Sequence, residues 1–273
     1  FRDKKKISDR KTIIYLLVLF ILILLTALLI NFKIINTKKS PLPENILNTI
    51  QMEINNDCLD LEGAHLKNSK KWFCEIGNKN INKIDFVLTG DSHALALKPA
   101  FDEVAKNLKI KGIMSGFSGC PHLLGIQPVR SDLNKKNCKL LNEKIFSFIK
   151  KNNVGKIFLV SRWTYYTDGD YSGREFAHLS KNNLMLVNKK NSRDAFIFGL
   201  ERTIKKYHDI GVEVILVQQP PMQILHPQFI YYNSFNFKKL YVEKSKLYNL
   251  SVDYDKHIEF QSFVRNLIAT LNK

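Results

Sequence analysis

"IDFVLTGDSHALALKPAFDEVAKNL", residues 84–108, decides the fold. Ile84 to Thr89 make an apolar run of strand length, and the run breaks at Gly90. Leu97, Phe101, Val104 and Leu108 then recur at the spacing of one helix face. A strand that turns through small polar residues into a helix is the start of a βα unit. The same cadence continues. "IKGIMS" (110–115) predicts a second strand, and Leu141, Ile145, Phe148 and Ile149 predict a helix over 137–151. "KIFLVS" (156–161) predicts a third strand, and Leu200, Ile204 and Tyr207 a helix over 192–209. "VEVILV" (212–217) predicts a fourth strand, stopped by Gln218-Gln219-Pro220-Pro221. Helical spacing recurs over 235–249 and 255–272. Such alternation predicts an α/β fold: a three-layer, flavodoxin-like parallel sheet with right-handed crossovers on both faces. Ligands of these sheets sit at the carboxyl ends of the strands. Four loops share that rim: 90–93, 116–124, 161–170 and 218–221. "RWTYYTDGDYSGREF" (162–176) has no regular period and is expected to be a functional loop or lid.

The chain has 273 residues and is 45% apolar, enough for one α/β domain with an appendage. Its formal charge of +17 comes from lysines spread along the chain rather than gathered in a stripe. No nucleic-acid motif accompanies them, so nucleic acid is not expected as a partner. The appendage is at the N-terminus, where Ile13–Ile30 carries no charge. Arg2, Lys4, Lys5, Lys6, Arg10 and Lys11 precede this run. A signal peptide is the competing reading; the length of the run and the absence of a small-x-small cleavage site favour an uncleaved anchor. Positive residues ahead of the span place the N-terminus in the cytoplasm and the rest outside. The expected organisation is a basic cytoplasmic tail (1–12), a transmembrane helix (13–35), a linker with a small disulfide-pinned region (36–83) and the α/β domain (84–273). Cys58, Cys74, Cys120 and Cys138 are an even set without Cys-x-x-Cys spacing, as suits disulfides in an exported domain. Pairing by proximity joins Cys58 to Cys74 and Cys120 to Cys138, one of three possible connectivities. Neither the cysteines nor the histidines have metal-ligand spacing, and no metal is expected.

Gly90-Asp91-Ser92-His93 lies where the first strand meets its helix. A plain N-cap explains Asp or Ser there. The chemical reading is a nucleophile: Ser92 would sit at a helix N-terminus, whose unpaired N–H groups and positive dipole end favour an oxyanion.

"GDSHA" after the first strand and "SGCPHLLGI" after the second resemble the SGNH hydrolase superfamily. More narrowly, with the preceding span, "NCKLLNEKIFSFIKKNNVGKIFLVSRWTYYTDG" and "ILVQQPP", the chain is similar to the extracytoplasmic SGNH domain fused to membrane acyltransferase-three proteins, which O-acylate surface polysaccharides. The resemblance implies that Ser92 is the nucleophile and that its N–H and that of Gly119 bind the oxyanion. Asp91, which can cap the helix, and His93, a pocket or packing residue rather than the base, are expected beside the pocket. The third block of the family carries an Asn; Ser161-Arg162-Trp163 stands there, and Arg162 is either a charge stabiliser or an ion pair or stack holding the loop. The fourth block, Asp-x-x-His, has no match. Asp253 and Asp255 precede His257 at the wrong spacing, and His257 shares a packing face with Phe260, Val264, Leu267 and Leu271. The resemblance therefore implies truncation at both ends, with a multi-helix membrane domain before Phe1 and a base-bearing strand after Lys273.

The expected activity is transfer of an acyl group, acetyl by expectation, to a cell-surface polysaccharide or lipid-linked glycan through a Ser92 ester. No cofactor is expected to be bound here; the resemblance implies acyl-CoA as donor to the membrane domain. The expected location is the cytoplasmic (inner) membrane, with the SGNH-like domain periplasmic or extracellular. Two alternatives stay open: an extracytoplasmic carbohydrate esterase using the same site, and a non-catalytic glycan-binding domain. His122 is a minor pocket candidate, and His226 is expected in a loop. Trp163, Tyr165 and Tyr166 either stack on sugar or pack the lid.

Overall fold

The computed structural model describes residues 9–31, 58–61, 72–129, 132–172, 178–181, 188–236 and 241–271. The chain divides into two units, Phe1–Gln51 with Phe235–Val242, and Met52–Ser234 with Glu243–Lys273.

In the first unit, α1 (Asp9–Asn31) is the one helix among the described residues that is long and apolar enough to cross a membrane. At 1.5 Å per residue it is about 34 Å long, and a bilayer's hydrocarbon core is about 30 Å. The Thr26 hydroxyl donates to the Leu22 and Ile23 carbonyls, so its polar group stays satisfied inside the helix.

The second unit holds an α/β sheet. Its elements run β1 (Cys74–Gly77), β2 (Phe86–Gly90), α2 (Ser92–Asn107), β3 (Lys111–Gly116), β4 (Gln127–Pro128), α3 (Asp132–Asn152), β5 (Lys156–Val160), α4 (Trp163–Thr167), β6 (Leu179–Ser180), α5 (Lys189–His208) and β7 (Glu213–Val217). The helix α6 (Pro227–Ser234) follows. In the first unit, β8 (Phe235–Asn236) pairs antiparallel with β9 (Tyr241–Val242). The second unit ends with α7 (Lys244–Leu250) and α8 (Tyr254–Leu271).

The main sheet has the order β1-β3-β2-β5-β7, with β1 antiparallel and the other neighbours parallel. β2 is buried along its whole length because parallel strands flank it on both edges and helices cover both faces. Side chains alternate across the sheet. Val87, Ile113, Ile157 and Leu159 face a core completed by Leu141, Ile145, Ile149, Phe196, Leu200 and Ile268 of α3, α5 and α8. Phe86, Leu88 and Met114 face Ala94, Leu95 and Ala105 of α2. This is the expected three-layer arrangement. From β2 the chain steps to β3 on one side and later to β5 on the other, so the order reverses at the carboxyl end of β2. Open α/β sheets bind ligands at such a reversal.

Three expectations give way. The linker over 36–83 contains β1, and Cys58 and Trp72 are core residues; the four residues Cys-Glu-Ile-Gly are too few to show a period. The rest of that stretch lies largely outside the described residues. The helix expected over 235–249 is replaced by the β8–β9 pair and the shorter α7, in a run whose aromatic residues and Val242 suit strands. The irregular segment after β5 opens with α4, where Trp163, Thr164, Tyr166 and Thr167 are buried. Residues 173–176 of that segment lie outside the described residues. Both disulfides form as paired by proximity, with Cα–Cα distances of 5.4 Å for Cys58–Cys74 and 5.6 Å for Cys120–Cys138.

Candidate active site

Two glycines bring the strand ends together. Gly90 closes β2 at φ +148°, and a Cβ there would stand 1.7 Å from the Val160 carbonyl oxygen. Gly116 closes β3 in register with Gly90, and a Cβ on it would stand 2.6 Å from the Gly90 carbonyl oxygen. The Phe117 N–H donates to that same carbonyl at 3.1 Å.

Asp91 caps α2 and is 2% exposed. Its Oδ1 accepts the His93 N–H at 2.8 Å; its Oδ2 accepts the Arg162 N–H at 2.9 Å and the Tyr166 hydroxyl at 2.7 Å. These donors offset the cost of burying a carboxylate. They also fasten the end of β2 to the start of α4, across the strand boundary with β5. The His93 ring lies with Nδ1 3.4 Å from Asp91 Oδ1. Ser92, the first residue of α2, is exposed. Among the described residues its hydroxyl has no hydrogen-bond partner, and its N–H has no acceptor.

Gly119 sits in a turn at φ +66°, and among the described residues its N–H also has no acceptor. Asp60 braces this turn: its Oδ1 accepts the Ser118 N–H at 2.7 Å, and its Oδ2 accepts the Ser118 hydroxyl. Its own N–H reaches the Gly116 carbonyl at 3.1 Å. The Cys120–Cys138 bridge ties the following loop to α3. The rim thus offers a free hydroxyl and two unspent N–H donors on adjoining strand ends, a nucleophile type and the donor type of an oxyanion hole.

The family model described as "SGNH domain (fused to AT3 domains)" matches residues 57–273. The chain belongs to this SGNH domain family. No curated protein matches the chain. Among solved structures, the periplasmic domain of a Salmonella ser. Paratyphi A lipopolysaccharide acetyltransferase is similar at 13% identity and a TM-score of 0.48, over 87% of this chain and 78% of that one.

In this SGNH domain, position 162 serves the site through its backbone. The Arg162 side chain turns away to Met222, with Nε 3.0 Å from Sδ, and lies 4.3 Å over the Tyr165 ring. These contacts link it to the Met222 loop and to Tyr165 of its own segment. Neighbouring loops are cross-linked as well. The Thr164 N–H donates to Gln219 Oε1 at 2.9 Å, and Gln261 of α8 donates to the Gln219 carbonyl at 3.4 Å. Asp168, at the end of α4, accepts from Lys189 at 2.6 Å and from Arg193. Burial opposes its ionisation, but bonds from Lys189, Arg193 and Thr167 outweigh burial and hold the carboxyl below its usual range.

His122 does not reach the site. It is 1% exposed and bonded between Asn142 and Tyr207. Asn142 Nδ2 donates to the Pro121 and Leu123 carbonyls, which fixes Oδ1 as the atom facing Nδ1 at 3.0 Å. An amide oxygen only accepts, so Nδ1 carries the proton and Nε2 accepts from the Tyr207 hydroxyl at 2.6 Å. Burial pushes this imidazole down to about 4. His257 is 4% exposed among the packing residues of α8, and its pKa is lowered by burial and then by Arg265. His226 stands just ahead of α6 and is exposed. Trp163 and Tyr166 are each 1% exposed and pack the core; the ring face of Tyr165 is taken by Arg162. They do not form a stacking platform. Among the described residues no cluster of His, Cys, Asp and Glu is arranged to hold a metal ion.

Asp60 is not singled out by sequence, and Tyr166 reads there only as a sugar-stacking or lid-packing ring, not as a partner of Asp91. Tyr166 lies 75 residues from Asp91, and Asp60 lies 58 residues from Ser118. No local period marks either pairing. "WTYY" reads as packing, which Tyr166 also does.

Proposed function

We propose that this chain is the SGNH domain of a membrane-bound O-acyltransferase that passes an acyl group, acetyl in the first instance, to a cell-surface polysaccharide or lipid-linked glycan. The exposed and unpartnered Ser92 hydroxyl at the N-terminus of α2, where the sheet order reverses, carries this reading. Ser92 Oγ attacks the acyl carbonyl carbon. The carbonyl oxygen takes the negative charge and is met by the Ser92 and Gly119 N–H groups. The donor's oxygen or sulfur leaves with a proton, and Ser92 holds the acyl group as an ester. A glycan hydroxyl then attacks the ester, loses its proton and regenerates Ser92. Asp91 keeps Ser92 aligned by fixing the first turn of α2.

Membership of a family fused to AT3 domains supports a membrane partner that delivers acyl groups from acyl-CoA. The apolar α1 and the basic residues before it support an N-terminus in the cytoplasm and an SGNH domain outside. A water acceptor in place of the glycan hydroxyl gives the esterase reading of the same site. A third reading, glycan binding without turnover, is favoured by one observation: among the described residues no imidazole hydrogen-bonds the Ser92 hydroxyl.

The test is labelling of the full-length parent protein by a fluorophosphonate probe, with peptide mapping. Label at Ser92, lost in Ser92→Ala, is the expected result. Label that persists in Ser92→Ala excludes Ser92 as the nucleophile. An unlabelled chain that still binds glycan leaves only the binding reading. Transfer and hydrolysis separate by whether product acyl groups appear on an added glycan acceptor or as free acid.

A further inference from the structure

The packing of α3 and α5 leaves a cleft of about 810 Å³, lined also by the loop that follows Gly119. Four cations line it, Lys139, Lys181, Arg202 and Lys206, against one acid, Glu143. Lys139 takes that acid at 4.0 Å. Among the described residues the other three cations have no carboxylate partner.

The cleft is built rather than left over. Lys181 Nζ stands 4.8 Å and Arg202 Cζ 5.9 Å from the centre of one ring, that of Phe198. One aromatic ring thus lies close to two like charges. Gly125 adopts φ +84°, and a Cβ there would stand 2.8 Å from Arg202 Cδ. The backbone therefore gives Arg202 room that only glycine leaves. The Leu124 N–H donates to Thr203 Oγ1 at 2.7 Å, which fixes the loop on α5. The pairing of Gln127 with Ser180 places Lys181 at the cleft's edge. Rigid elements hold uncompensated positive charge around a concave polar surface. A multiply charged anion is the complement.

We infer that this cleft binds the anionic groups, carboxylate or phosphate, of an acidic glycan, at a subsite separate from Ser92. The inference rests on the proposed glycan acceptor. Arg202 presents a planar fork suited to either oxyanion, and Lys181 and Lys206 add point charges. The cleft and the Ser92 rim share the loop from Gly119 to Gln127, so the acceptor can be held on the same loop that supplies an oxyanion donor.

The experiment is calorimetric titration of the full chain in detergent with three probes: hexagalacturonate, inorganic tripolyphosphate and maltohexaose. Salt-sensitive binding of either anion, with none of the neutral maltohexaose, is expected; the anion that binds tells carboxylate from phosphate. The double variant Lys181→Glu/Arg202→Glu weakens binding roughly tenfold or more. The neutral pair Lys181→Gln/Arg202→Gln weakens it less, and circular dichroism confirms that both variants fold. The pair Lys79→Glu/Lys244→Glu changes net charge equally at exposed positions outside the cleft and leaves affinity within about twofold. Equal losses in the cleft and control pairs overturn the inference, as does equal binding of maltohexaose or unchanged binding by the cleft variants. Ser92→Ala leaves affinity unchanged. Loss of Ser92 labelling with anion binding intact would therefore sink acyl transfer and spare the cleft, and the converse result would sink the cleft alone.

Discussion

Acid should loosen this domain through one imidazole. His122 is buried neutral, with its proton on Nδ1 toward Asn142 and its lone pair toward Tyr207. Its ordinary value is 6.5, and in the fold it is about 4. The unfolded chain therefore takes up a proton first as pH falls. The stabilising contribution of the neutral ring is fully present above pH 6.5 and is lost progressively down to about pH 4, where the folded form protonates as well. One pH unit of such a difference is worth about 1.4 kcal/mol, so the whole interval is worth about 3 kcal/mol. The ring is almost wholly buried, and solvent does not discount that figure much. Urea unfolding of the full chain and of His122→Gln, with disulfides intact, measures it between pH 7.5 and 4. His122→Gln starts less stable at pH 7.5, because losing the ring disrupts the buried bridge from Asn142 to Tyr207. The gap between the two proteins should then close by about 3 kcal/mol on acidification, since only the wild-type ring titrates. His178 and His257 are common to both and cancel. Parallel stability curves would refute the tautomer assignment and the burial argument together.

Two further substitutions probe the rim. Gly90→Ala forces a Cβ to within 1.7 Å of the Val160 carbonyl oxygen at a backbone angle of +148°, and thermal unfolding should show a loss of at least about 3 kcal/mol. An unchanged melting temperature would mean the strand ends are not this close. Tyr166→Phe removes one of the side-chain and backbone donors to the buried Asp91 carboxylate and should cost about 2 kcal/mol in urea unfolding. It should also slow fluorophosphonate labelling of Ser92; a loss below about 0.5 kcal/mol would show that the phenol does not support Asp91.

The parallel strands were legible because each is a short buried run. The segments expected at 84–89, 110–115, 156–161 and 212–217 form strands at 86–90, 111–116, 156–160 and 213–217. Burial on both faces demands continuous apolar residues, and composition shows that directly. β1 was illegible because it is a four-residue edge strand with an exposed Glu75, held by pairing to β3 and by the Cys58–Cys74 bridge rather than by its own pattern. Ser92 and Gly119 were named from the resemblance, and the cap made by Asp91 was legible from its position. Its grip on Tyr166 was not, because that contact arises from two strand ends lying side by side. His122 illustrates the limit in the other direction: a polar residue on a rim loop reads as accessible, yet three-dimensional packing places Asn142 and Tyr207 around it.

Asp91 contacts position 162 only through a main-chain amide. Every residue except proline carries that amide, so the aspartate imposes almost no demand on which side chain stands there. The first turn of α2, where Ser92 sits, is thereby held independently of the side-chain chemistry of the neighbouring loop. Arginine at 162 can therefore serve the Met222 and Tyr165 contacts with its side chain while its amide serves Asp91, two tasks carried by separate parts of one residue.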